Sequence, residues 1–130
     1  MTEPDRKSGI AGLLHRRFVG ASGYSWQGLR ACFQHEEAFR FELFLGVVLL
    51  PLAFVLAESI VQLCLLLGSM LIVLIVEVLN SALEAVVDLT SAEHHELAGR
   101  AKDQGSAAVL LSMILFLLIW GALAWQYAVA

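Results

Sequence analysis

Between Ala107 and Ala130 there is no charged side chain, and this run constrains the fold more than any other feature of the chain. AAVLLSMILFLLIWGALAW is close to the length a helix needs to cross the hydrocarbon of a bilayer, roughly 20 residues. Two further apolar stretches precede it, LFLGVVLLPLAFVLA over 43–57 and IVQLCLLLGSMLIVLIV over 60–76. In lipid every backbone N–H and C=O must find a partner within the protein, which leaves helices for segments of this kind. With 59% hydrophobic and 15% charged residues in 130, the chain is too apolar for a water-soluble domain and too short for two domains. The expected fold class is all-α: a polytopic membrane protein of one domain with three transmembrane helices and an N-terminal amphipathic surface helix.

Residues 1–34 read as an N-terminal tail followed by surface helices. MTEPDRKS is polar and lacks the apolar core of a secretory signal. Ile10, Leu13, Leu14 and Phe18 then recur at helical spacing beside His15, Arg16 and Arg17, the pattern of a short helix lying on the membrane. Gly20 and Gly23 are expected to interrupt it. A second amphipathic piece carries Trp26, Leu29 and Phe33, with Tyr24 and Trp26 suited to the headgroup level. The first span is expected over 36–57, with Pro51 inside it and only Glu58 and Ser59 before the next. The second, over 60–90, runs on beyond the lipid because no Gly or Pro stops it. Residues 91–106 form the connection and 107–127 the third span, with Trp120, Trp125 and Tyr127 as anchors near its far end. Gly68 and Ser69 signal close helix packing.

Arg6, Lys7, Arg16, Arg17, Arg30 and Arg40 precede the first span, Arg100 and Lys102 lie between the second and third, and the turn at Glu58 has no basic residue. The positive-inside rule therefore places the N-terminus and the stretch 77–106 in the cytoplasm. Cys32 and Cys64 have neither CxxC nor metal-ligand spacing and read as buried thiols. A formal charge of −4, with aromatics not interleaved among Lys and Arg, speaks against a nucleic-acid partner.

The chemistry lies in Glu77 to Ser106. At 100° per residue Glu77, Asn80, Ser81, Glu84 and Asp88 share one helix face, while Val78, Leu79, Leu83, Val86 and Val87 take the rest. Charges beside hydrocarbon persist where they face a bundle interior, a partner or a cation. The competing reading is a solvated face of a helix that has left the membrane; against it, Glu77 follows MLIVLIV directly. The connection adds His94, His95, Arg100, Lys102, Asp103 and Ser106, and the N-terminal side adds Arg17, Arg40, Glu36, Glu37 and Glu42. Carboxylates opposite Lys and Arg are the parts needed to hold Mg²⁺ and polyphosphate. No GxxxxGKS, GxGxxG or HRD-type loop occurs, so a kinase here is of unrelated design. Adjacent histidines on a helix point about 100° apart, which favours exposed or nucleotide-contacting roles for His94 and His95 over a metal site. Glu37 reads as a charge matched to the helix dipole. Arg100 and Lys102 serve either membrane topology or phosphate.

EVLNSALEAVVD followed by HELAGRAKDQGSAAV, and GYSWQGLRA followed by EEAFRFE, resemble the bacterial integral-membrane diacylglycerol kinase family in order and spacing, over nearly the whole chain from about Arg17. The resemblance implies a homotrimer of three-span protomers in the bacterial cytoplasmic (inner) membrane, with active sites shared between neighbours. It implies transfer of the γ-phosphoryl group of MgATP to the hydroxyl of diacylglycerol, giving phosphatidate. By matching position, Glu77 is implied as the general base and Asn80 as a group that positions the reactants. Glu36 and Glu84 are implied as the Mg²⁺ carboxylates. Arg17, Tyr24, Ser25, Glu84, Asp88, His95, Lys102 and Asp103 are implied on the nucleotide side, and Glu42, Glu77 and Ser106 on the lipid side. Gly20 departs from the family where a basic residue is frequent, Phe41 where a polar one is, and Gln104 where an apolar one is. The first departure weakens any grip of the N-terminal helix on phosphate. Two alternatives stand beside this reading: an undecaprenol kinase of the same family and, from another class, a small proton-coupled transporter using Glu77.

Overall fold

A computed structural model of the chain describes residues 9–90 and 95–130, all of them in helices or short links. Arg6, Lys7 and His94 therefore lie outside the described residues. Four helices follow one another: α1 Ile10–His35, α2 Glu37–Leu56, α3 Ile60–Thr90 and α4 Glu96–Val129. The last three, of 20, 31 and 34 residues, are long and apolar enough to cross a membrane.

The chain divides into two units, Met1–His35 and Glu36–Ala130. In the first, the expected break at Gly20 and Gly23 does not occur: α1 is one continuous helix of 26 residues. A glycine inside a helix costs only about 0.5–1 kcal/mol relative to alanine. Neither glycine has a positive φ, so neither turns the chain. Ser22 Oγ donates to the Phe18 carbonyl at 2.6 Å, spanning the glycine-rich turn.

In the second unit, α2 continues through Pro51. The turn after it is held by a capping arrangement of the S-x-x-Q type. Ser59 Oγ accepts from the Gln62 N–H at 3.2 Å, and Gln62 Oε1 accepts from the Glu58 N–H at 2.7 Å. Gln126 Nε2 on α4 donates to Glu58 Oε2 at 3.3 Å, so the same turn also fastens the far end of α4. Without Gly or Pro to stop it, α3 runs to Thr90. α4 begins at Glu96 with His95 as its cap, so the latter part of 91–106 is helical and continuous with 107–127.

α3 packs along α4 and against α2. The core comprises Ala53, Leu56, Leu66 and Trp120, with Leu49, Leu63, Met70 and Phe116 around it. The Phe116 and Trp120 rings, one helical turn apart, lie 5.4 Å between centroids. Two serines are buried here, and each satisfies its hydroxyl on its own helix. Ser69 donates to the Leu66 carbonyl at 2.9 Å and Ser112 to the Val109 carbonyl at 2.7 Å. Close packing at Gly68–Ser69 falls on Ser69 alone, since a Cβ on Gly68 would meet open space.

Candidate active site

Accessibility rises along the polar stripe of α3. Glu77 is buried at 6% exposure, Asn80, Ser81 and Glu84 are half-buried, and Asp88 is exposed. The helix thus delivers a graded row of polar groups, from a carboxylate packed among apolar helices to one in the open.

α2 contributes to the same row. Glu36 is the N-cap residue of α2, with extended backbone (φ −109°, ψ 113°) and no capping bond from its own side chain. Its carboxylate turns across to α3 instead, where Ser81 Oγ donates to Oε1 at 2.9 Å. One turn along, Asn80 Nδ2 donates to Glu84 Oε1 at 3.2 Å. Each of these two carboxylates is therefore held through one oxygen by a neutral donor. Glu36 and Glu84 both lie close enough to Glu77 for their charges to act on it, and Glu77 stands in the same relation to Glu42 of α2. Like charges gathered in this way repel unless a cation or protons intervene.

A cation within reach is Lys102 on α4. Its Nζ pairs with Asp88 Oδ1 at 2.5 Å, and the charge of Glu84 also acts on it. Among the described residues, no group of three or more His, Cys, Asp or Glu is placed to hold a metal by itself. A hard divalent ion that keeps its waters and takes phosphate oxygens needs only one or two carboxylates; Glu36 and Glu84 each stand near Glu77.

Glu42 is the odd member. Both its carboxylate oxygens are buried without a hydrogen-bond partner. It stands at the edge of a cavity of about 230 Å³ whose other walls are almost wholly apolar, among them Phe41, Leu45 and Leu49 of α2, Met70 and Val73 of α3 and Phe116 of α4.

Seven of the residues singled out in the sequence thus come together: Glu36, Glu42, Glu77, Asn80, Glu84, Asp88 and Lys102. The others do not join them through any described contact. Asp103 and Ser106 are exposed on α4. His95 caps α4, its Nδ1 accepting from the Leu97 N–H at 3.2 Å, so one ring nitrogen already has a structural partner. Arg17, Tyr24 and Ser25 are exposed on α1, in the other unit. Two residues in the cluster had no assigned role in the sequence. Ser81 was visible only as a member of the stripe. Gly105 was visible only as a letter of GRAKDQGSAAV, yet it is buried and packs against Asn80.

Fold and site together define a multi-pass helical membrane protein whose acidic groups gather where apolar helices end. Residues 23–124 match the prokaryotic diacylglycerol kinase family. The chain is 46% identical over 112 residues to the diacylglycerol kinase of Haemophilus influenzae, covering 86% of this chain and 93% of that protein. It is 47% identical over 111 residues to the diacylglycerol kinase of Escherichia coli K12, covering 85% and 91%. It is 42% identical over 120 residues to that of Pseudomonas aeruginosa, covering 92% and 96%. The chain belongs to the prokaryotic diacylglycerol kinase family and is a lipid kinase. An enzyme of this family replaces the transporter alternative.

Proposed function

We propose that the protein transfers the γ-phosphoryl group of ATP, bound with Mg²⁺, to the hydroxyl of diacylglycerol at the cytoplasmic face of the bacterial inner membrane, giving phosphatidate. The observation that carries this reading is the meeting of two unlike environments at Glu77. On one side are the carboxylates Glu36 and Glu84, each tethered through a single oxygen. On the other is Glu42 at the edge of an apolar cavity. A water-soluble donor and a lipid acceptor need such a junction.

In this reading an acyl chain occupies the cavity and Glu42 accepts a hydrogen bond from the glycerol part of the lipid. Glu77 takes the proton from the acceptor hydroxyl as its oxygen bonds to the γ-phosphorus and the bond to the β-phosphate oxygen breaks, releasing ADP. General-base catalysis of this kind contributes roughly 10²–10⁴-fold, and the rest comes from in-line positioning and charge neutralisation. Glu36 and Glu84 hold Mg²⁺, which neutralises charge on the phosphate oxygens when bound. Asn80 positions Glu84. Lys102, drawn from Asp88, supplies a point charge to the triphosphate; Asp88, Asp103 and His95 line its approach, and Ser106 the lipid side. Arg17, Tyr24 and Ser25 belong to the nucleotide side by matching position in the family, and the enzyme acts as a homotrimer with shared sites. The Lys and Arg residues before the first span and within 77–106, set against none in the turn at Glu58, support the cytoplasmic orientation.

The test is ATP-dependent phosphorylation in mixed micelles, with dioleoylglycerol and undecaprenol offered side by side, with and without Mg²⁺. Phosphatidate formation that requires Mg²⁺ is expected. Phosphorylation of undecaprenol alone would reassign the acceptor, and activity unaffected by chelator would remove the metal.

A further inference from the structure

We infer that Gly105 is a positioning residue: its bare Cα, pressed against Asn80, fixes the amide that holds Glu84. The inference rests on the metal role proposed for Glu84 and adds the α4 residue that keeps that carboxylate in place.

Gly105 has no backbone reason to be glycine. It lies inside α4, and no residue of the described chain has a positive φ. In a helix interior glycine is the costlier choice, by about 0.5–1 kcal/mol relative to alanine. What it provides is space. A Cβ at this position would fall on Oδ1 of Asn80, 3.3 Å from its Cγ and 3.6 Å from Leu83 Cδ2. Gly99 and Gly121 on the same helix, and Gly68 on α3, have open space in the corresponding direction. The close approach is particular to the point where α4 crosses the polar stripe.

The orientation of Asn80 then follows from chemistry. The NH₂ of Asn80 faces Glu84, Nδ2 donating to the carboxylate oxygen Oε1 at 3.2 Å. That turns Oδ1 toward Gly105, where it is buried without a hydrogen-bond partner. Among the described residues no polar group holds the amide from this side. Contact with the glycine does, and a Cα–H directed at the oxygen is the weak partner such helix crossings commonly supply. A methyl group at 105 would force the Asn80 side chain to rotate, and Nδ2 would leave Glu84. Groups that orient a metal ligand from behind commonly matter by roughly 10–100-fold in metal affinity.

The experiment measures Mn²⁺ binding by electron paramagnetic resonance to the whole protein in detergent micelles, with a non-hydrolysable ATP analogue present. Wild type, Gly105→Ala, Asn80→Ala and the double variant are compared. Gly105→Ala is expected to weaken Mn²⁺ binding about tenfold, Asn80→Ala by a similar factor, and the double variant no more than Asn80→Ala alone, because truncated Asn80 leaves room for the new methyl. Wild-type affinity in Gly105→Ala, or losses that multiply in the double variant, would overturn the inference. If Gly105→Ala alone fails to assemble, recovery of assembly in the double variant supports the specific clash with Asn80, and no recovery overturns it. A wild-type protein that binds no Mn²⁺ would instead remove the metal assignment on which the inference stands.

Discussion

Ser81→Ala removes one oxygen from the half-buried part of the stripe and leaves the helix otherwise unchanged. Its consequence should fall on Glu36. That carboxylate sits at the N-cap of α2 without bonding its own helix, so the 2.9 Å hydrogen bond from Ser81 sets where it points. Hydrogen bonds to charged groups are worth about 1.5–3 kcal/mol, and partial access of water at Ser81 lowers that toward 1.4 kcal/mol, about a factor of ten. If Glu36 holds Mg²⁺, the metal concentration giving half-maximal lipid phosphorylation should rise about tenfold, the size commonly seen for groups behind a metal ligand. The assay is a Mg²⁺ titration at fixed ATP and diacylglycerol. Saturating metal should restore most of the rate, because the ligand itself remains. Ser81→Thr, which keeps the hydroxyl, should stay close to wild type. An unchanged midpoint in Ser81→Ala, or an equal loss in both variants that metal does not relieve, would refute the reasoning and leave Ser81 as a packing residue.

Other expectations follow from the same geometry. Glu77→Gln should lower turnover by roughly 10²–10⁴-fold while Mn²⁺ and nucleotide binding persist; loss of assembly would instead mark the buried residue as structural. Lys102→Met should raise the KM for ATP with little change in thermal stability, since both partners of its pair with Asp88 are substantially exposed and such pairs contribute little to folding; a large drop in Tm with an unchanged KM would count against the nucleotide role. Leu66→Ala removes a side chain with no exposed surface at the centre of the helix packing and should destabilise the protein by about 2–5 kcal/mol, measured by unfolding in detergent. A cost below 1 kcal/mol would show that the site collapses around the gap.

Length, apolar runs and periodicity alone made three crossings and one polar stripe on α3 readable, because both depend on local chemistry. A run without charges must be helical in lipid, and residues three, four and seven apart must share a face. The same local rules misled at Gly20 and Gly23, where the cost of glycine in a helix is too small to break α1. They did not show that the helix of the third span begins as early as Glu96, because the cap at His95 is a matter of side-chain geometry. Which faces meet was beyond the sequence. That Ser81 takes hold of Glu36 across 45 residues, that Glu42 borders a cavity walled by three helices, and that Gly105 abuts Asn80 depend on the rotation and axial register of one helix against another. Those are set by the sum of many small packing contacts along α2, α3 and α4, and no single residue's character reports that sum.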